Sequence, residues 1–295
     1  MKKQEFIKLN CAPSRNGLSE FTCYKSNEIL KMKENWNNRH PDVKIVSQEI
    51  KDIWEELKNN MEDTCNNEAC WLRQKFMENE NNNELLQYTF APKAPKSWLK
   101  NPTEWLSSLD INKIMKQYEH DFPNFDFIGP SPIDFDTFLS TENKCVWEEL
   151  CHFSLKKHLS KGKQKIGIIF NTDKHNEGGS HWISLFINIE KGKNYIFFFD
   201  SNGVTAPPEI KVLRDRILNE AKNDLGITDL TYYENKKSHQ KGNTECGMYS
   251  LYLIIELLTE AELDDGVHTI DYFMNDWIPD KTVQRLREVY YNKDM

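Results

Sequence analysis

The chain has 295 residues, room for one large domain or about two ordinary ones, with a net charge of −8 and a pI near 5.6. An acidic chain repels phosphate backbones, which argues against general nucleic-acid binding. No run reaches the roughly 18–20 apolar residues of a membrane span.

The opening Met1-Lys2-Lys3-Gln4-Glu5-Phe6 has charges but no apolar h-region, so no secretory signal is expected. Seven cysteines at irregular spacings then argue for free thiols in a reducing compartment, cytosolic or nuclear. The first ~95 residues have a helical texture. After Ser26, a suitable N-cap, Ile29, Met32 and Trp36 fall on one helical stripe; after Ser47, Ile50, Trp54, Leu57 and Met61 repeat it. With Trp71, Leu72 and Phe76 these residues predict a small helical core rather than a substrate contact. The polar tract Glu78 to Glu84 reads as an exposed loop, and Ala91-Pro92-Lys93-Ala94-Pro95-Lys96 as a stiff linker. A domain boundary is expected there, between residues 1–95 and 96–295.

Beyond it, Ile111, Ile114, Met115 and Tyr118 form one helical face, and Val146, Leu150 and Phe153 another. Strand-like runs follow at Lys165 to Phe170, Trp182 to Ile189 with strict alternation, and Tyr195 to Phe199. Pro208 suits the first turn of a helix that turns Ile210, Leu213 and Ile217 inward. A short strand near Leu230 to Tyr233 precedes a polar loop, and the apolar run Cys246 to Leu258 reads as a buried helix. The sum is an α+β domain, a central mixed sheet flanked by helices, preceded by a helical domain.

Four residues stand where chemistry is expected. Cys246 opens the buried helix, where the helix dipole and unpaired N–H groups stabilise a thiolate; a small buried apolar residue is the plainer alternative. His181 follows Gly178-Gly179-Ser180 at the rim of a strand, placed to exchange a proton with a thiol. Asp200 closes the next strand, where it can orient the imidazole or serve only the turn. Gln240, on the loop before Cys246, can complete an oxyanion hole with the Cys246 N–H, or be merely exposed.

The strings Gly179-Ser180-His181-Trp182, Phe198-Phe199-Asp200-Ser201 and His239-Gln240-Lys241-Gly242-Asn243-Thr244-Glu245-Cys246-Gly247 resemble the SUMO-specific and adenoviral cysteine proteases. The shared order is His, Asp, Gln, Cys. The resemblance covers residues 100 to 295 and implies Cys246 as nucleophile, His181 as base and acid, Asp200 as orienter and Gln240 as oxyanion donor. It also implies that Trp105 and Trp182 flank a tunnel admitting only a Gly-Gly backbone, with core packing the plain alternative for each. Cellular members carry an acidic residue where this chain has Ser108, with Asp110 two positions on. The Gln-x-x-x-Thr-Glu-Cys-Gly stretch and the helical extension are most similar to the capsid-polyprotein-processing proteases of large DNA viruses, of the African swine fever virus type.

The resemblance implies a protein substrate with a Gly-Gly-Xaa site or a Gly-Gly tail and no metal or organic cofactor. It places the protein in the cytoplasm or nucleus of a host cell, or packaged in a virion. Alternatives are a deconjugase of ubiquitin-like proteins, a related Cys-dependent acetyltransferase, and a non-catalytic binding module. Cys11, Cys23, Cys65 and Cys70 match known zinc spacings poorly, and Cys145 and Cys151 read as core. The runs Lys161 to Lys165 and Lys236-Lys237 read as solvated surface.

Overall fold

A computed structural model of the chain describes residues 5–15, 19–78, 81–190, 192–259 and 266–293. They fall into two units, Met1–Lys96 with Glu288–Met295, and Ser97–Arg287. Of the segments singled out in the sequence, Met1 to Gln4 and Asn79-Glu80 lie outside the described residues.

The first unit is built on α1 (Ser26–Arg39), α2 (Ile50–Asn60), α3 (Glu68–Trp71) and α4 (Asn82–Thr89). The predicted stripes meet: Ile29, Met32, Trp36, Trp54, Leu57, Met61, Trp71, Leu72 and Phe76 share one core. Tyr24 stacks on Trp71 with 6.2 Å between ring centroids. Three local expectations need correction. The N-cap of α1 is Lys25, not Ser26, because Glu28 one turn in accepts the Lys25 N–H at 2.7 Å. The polar tract is no loop from Asn82 onward, where α4 begins. The Ala91–Lys96 stretch is pinned rather than free: Ala91 is fully buried and donates to Asn10 O at 3.0 Å, and Ala94 donates to Asn292 O at 2.8 Å.

The second unit holds α5 (Ser108–Asp121), α6 (Glu148–Cys151), α7 (Leu155–Ser160), α8 (Pro208–Asp224), α9 (Cys246–Thr259), α10 (Gly266–Asn275) and α11 (Asp280–Tyr290), the last running on past Arg287. Its strands are β1 (Phe125–Pro132), β2 (Phe138–Leu139), β3 (Lys144–Cys145), β4 (Lys165–Asn171), β5 (Trp182–Glu190), β6 (Lys193–Phe199) and β7 (Thr231–Glu234). Five form a mixed sheet in the order β1-β4-β5-β6-β7, with β4, β5 and β6 antiparallel and the outer pairs parallel. β2 and β3 pair as a short separate ribbon.

Alternation along β5 sorts its side chains to opposite faces. Ile183, Leu185, Ile187 and Ile189 pack with Ile210, Leu213 and Ile217 of α8. The opposite set, Trp182, Ser184, Phe186 and Asn188, is buried as well, on the face that α9 covers. Helices on both faces explain why the strand is buried from end to end. The sequence pattern does not reveal β1, because Gly129, Pro130 and Pro132 interrupt it. As an edge strand it tolerates prolines, and its pairing with β4 shifts register between Ile128 and Ser131.

The cysteines depart from expectation. Cys11–Cys23, Cys65–Cys70 and Cys145–Cys151 are disulfides, so the expected free thiols reduce to one, Cys246. Irregular spacing carries no information about which sulfurs the fold brings together. The first four cysteines are two separate disulfides rather than a single metal cluster. The basic run is not simply solvated either: Lys163 donates to Phe125 O at 2.8 Å, and the buried Lys165 reaches Leu258 O at 3.4 Å. No helix among the described residues is long and apolar enough to cross a membrane.

Candidate active site

The ladder between β5 and β6 sets the first half of the site. Ser184 pairs with Phe199, so the start of β5 and the end of β6 lie at the same edge of the sheet. His181, just before β5, is held there by its carbonyl, which accepts the Thr172 N–H at 2.9 Å. Asp200, just past β6, places Oδ1 2.8 Å from His181 Nε2. The carboxylate is buried, and it also accepts the Asn202 N–H at 2.8 Å. Gly203 closes this turn with φ +71°, and a Cβ there would meet the backbone of Lys236, Lys237 and Ser238 within 2.8 Å. Only glycine permits both that dihedral and that approach.

Cys246 is the first residue of α9 and is buried. Its sulfur acts on the His181 ring together with Asp200, both favouring the protonated imidazole. Burial alone would lower the imidazole pKa, but the hydrogen bonds and charges of Asp200 and Cys246 outweigh it and raise it to about 9. The ring is therefore cationic near neutral pH.

Gln240 is buried, with its Oε1 accepting the Ser201 hydroxyl at 2.7 Å and its Nε2 donating to Gly242 O at 3.0 Å. Since Ser201 follows Asp200, the loop carrying the amide is tied to the turn carrying the carboxylate. Its neighbour His239 is fully buried and structural: one ring nitrogen donates to Phe273 O at 2.9 Å and the other accepts the Ile278 N–H at 3.3 Å. Burial lowers its pKa and keeps it neutral.

Trp105 and Trp182 line one cavity of about 520 Å³ with Leu106, Pro130, Val146, Trp147, Gly178 and Gly179 among its walls. Trp182 is 8% exposed and its indole N–H donates to Leu106 O at 3.0 Å, whereas Trp105 is 39% exposed. Gly247, next to the thiol, lets the start of α9 press against this wall: a Cβ there would lie 3.0 Å from Leu106 Cβ and 3.1 Å from Trp182 Cδ1. Ser108 lines the same cavity. Asp110 is no replacement for an acid at that position, because its carboxylate is spent on the cap of α5, accepting the Ser107 N–H at 3.1 Å and hydroxyl at 2.6 Å.

Sequence reasoning missed three supporting side chains. Asn235, fully buried, grips Asp200 by accepting its N–H at 2.9 Å and donating to its carbonyl at 2.8 Å. Ser201 and Asp280 hold the loop of Gln240. None carries a spacing signal; only the Ser201 position within the Phe-Phe-Asp-Ser string drew notice.

A lone thiol at a helix start, near an imidazole that a buried carboxylate holds, is an arrangement suited to cysteine-based acyl chemistry. The sequence pattern of the Ulp1 protease family, C-terminal catalytic domain, matches residues 147–294. A thiol protease of Acanthamoeba polyphaga mimivirus is 31% identical over 276 residues, 87% of this chain and 87% of that protein. A cysteine protease of African swine fever virus is 23% identical over 199 residues, 64% of this chain and 68% of that one. The crystal structure of an African swine fever virus protease has the same fold, with a TM-score of 0.64 at 17% identity, covering 96% of this chain and 95% of that one. The chain belongs to the Ulp1 protease family, and it is a cysteine protease.

Proposed function

We propose that this protease cleaves protein substrates at Gly-Gly-containing sites through an acyl-enzyme, and that its substrates are viral structural precursors. The observation that carries the reading is the His181 ring, hydrogen-bonded to Asp200 and influenced by the Cys246 sulfur, beside a cavity that two tryptophans line. In this mechanism the Cys246 thiolate attacks the carbonyl of the residue before the scissile bond. The Gln240 amide and the Cys246 N–H take the charge of the oxyanion, where one well-placed donor is worth about 10²–10³ in rate. His181 gives its proton to the leaving amine, then accepts one from the water that hydrolyses the thioester. Asp200 keeps the ring oriented and balances its charge. A narrow passage between Trp105 and Trp182, which the resemblance implies, would favour a chain without side chains next to the nucleophile.

The assignment to structural precursors follows the resemblance in the Gln-x-x-x-Thr-Glu-Cys-Gly stretch and the mimivirus and African swine fever virus relatives. We place the enzyme in the host cytoplasm or nucleus or in the virion on the resemblance alone, since three disulfides remove the free-thiol argument for a reducing compartment, and we assign the helical unit to substrate docking. The second reading, removal of ubiquitin-like proteins, is favoured by the family match itself. A peptide panel separates them: Gly-Gly-Xaa peptides beside folded ubiquitin-like proteins with Gly-Gly tails, with Cys246→Ala as the blank. Cleavage of short peptides by the unmodified chain alone is the expected result. Cleavage confined to folded tails would move the assignment to a deconjugase, and acetyl-CoA-dependent labelling of Cys246 would move it to an acyltransferase.

A further inference from the structure

We propose that Ser201 and Asp280 are positioning residues that lock the Gln240 carboxamide in the orientation needed for the oxyanion. The proposal rests on the protease reading above and adds to it the device that makes a loop amide a dependable donor.

A carboxamide has two nearly isosteric orientations, with oxygen and nitrogen exchanged. Only one presents N–H to a developing oxyanion. At Gln240 two contacts choose between them. The Ser201 hydroxyl donates to Oε1 at 2.7 Å, and Nε2 donates to the Gly242 carbonyl at 3.0 Å. Turned over, the group would set Oε1 against the Gly242 carbonyl oxygen, two acceptors face to face. The observed orientation uses one Nε2 hydrogen and leaves the second for the substrate.

Both contacts are themselves anchored. The Ser201 carbonyl accepts the N–H groups of His239 at 2.9 Å and Gln240 at 3.0 Å, and Ser201 is 1% exposed. Serine therefore holds its partner by backbone and side chain together. On the other side, the Asp280 carboxylate at the start of α11 accepts the Gly242 N–H at 2.8 Å and the Lys241 N–H at 3.1 and 3.2 Å. The Tyr249 hydroxyl, one turn into the helix that Cys246 opens, shares its hydrogen between the same carboxylate at 2.9 Å and Ile278 O at 2.8 Å. Asp280 thus fixes the carbonyl that Gln240 uses and references it to the nucleophile's own helix. An exposed loop would not need a carboxylate with four contacts to main chain and phenol; an amide that must stand still does.

The test separates oxyanion positioning from thiolate formation. Alkylation of Cys246 by iodoacetamide displaces iodide at carbon and forms no oxyanion, so it reports only the thiolate and its imidazolium. Ser201→Ala should lower peptide kcat by about ten- to a hundredfold, within the range of losing one donor, with KM and the pH-dependent alkylation rate unchanged within twofold. Ser201→Thr keeps the hydroxyl and should restore most of kcat. Asp280→Asn, which cannot accept from all its donors, should behave as Ser201→Ala does. The proposal is overturned if alkylation falls in step with turnover, if kcat is unmoved, or if threonine does not rescue. Retained cleavage by Cys246→Ala would instead remove the protease reading underneath, an outcome that these variants do not mimic.

Discussion

The two sides of Cys246 are built by different means. In the proposed acid–base pair, His181 and Asp200 sit at the ends of adjacent antiparallel strands, and the β5–β6 ladder sets their spacing. The proposed oxyanion donor, Gln240, rides a loop that no ladder supports, and separate polar side chains hold it. A sheet positions groups through many equivalent backbone bonds, so no single side chain matters greatly to the spacing. A loop positions them through a few unequal contacts, and each of these is exposed to mutation.

Removing the sulfur breaks the comparison altogether, since both sides serve it. Cys246→Ala should abolish peptide cleavage while leaving circular dichroism and thermal midpoint near those of the unmodified chain; measurable turnover would contradict the assignment. Next in size, Asp200→Asn should lower kcat on the order of 10²-fold, at the low end of general acid–base contributions. An amide still orients the ring but cannot balance its charge, so the loss should stop short of that in Cys246→Ala. In the unmodified enzyme turnover should decline as pH rises through about 9, where His181 loses the proton meant for the leaving amine. Neutral iodoacetamide should show no such decline, and Asp200→Asn should bring the basic limb to lower pH.

The same raised pKa has a consequence for stability. A proton bound more tightly in the folded state stabilises the fold fully below the unfolded value near 6.5, and the contribution is lost as pH rises through about 9. Thermal midpoints followed across that window should fall in the unmodified chain and stay flatter in Asp200→Asn.

Smaller effects sharpen the contrast. Asn235→Ala leaves the N–H of Asp200 without its partner in a buried place, a cost of about 1–3 kcal/mol for such a group, while the carbonyl keeps the Gly203 N–H. Because the ladder still places the strand end, the damage should appear in thermal midpoint more than in kcat. Gly247→Ala should be the mildest: Trp182 and Leu106 must each give way by a few tenths of an ångström. A rise in KM of about threefold with kcat nearly kept is expected, roughly the cost of a fraction of a methylene in a packed pocket. A kcat effect without a KM effect would mean that the tryptophan wall does not contact substrate.

Legibility in the sequence follows the same division. Strands β4, β5 and β6 and helices α8 and α9 write themselves as apolar periods, because their stability is side-chain burial. Edge strand β1 does not, since a strand bonded on one side can carry two prolines. His181, Asp200, Gln240 and Cys246 are readable as residues at element ends joined by order and spacing, and the fold brings their segments together. Ser201, Asn235 and Asp280 act through a few hydrogen bonds to main chain, amide or phenol, and a hydrogen bond across 35 to 39 positions leaves no periodic trace. The disulfides are not legible in the sequence for a related reason. Seven cysteines in an aqueous sequence look alike, and only three-dimensional proximity makes six of them pairs and the seventh a lone thiol.

The β5–β6 hairpin is local, while the sulfur comes from a helix further along the chain. A ribosome releases the polypeptide N-terminus first, so the imidazole and its carboxylate emerge and can pair before the nucleophile has been translated. The hairpin is assembled from contacts of short sequence separation, the kind that form quickly. The proposed base is thus in place before the proposed nucleophile has been made, and the site is completed last by α9 and the Asp280 that begins α11.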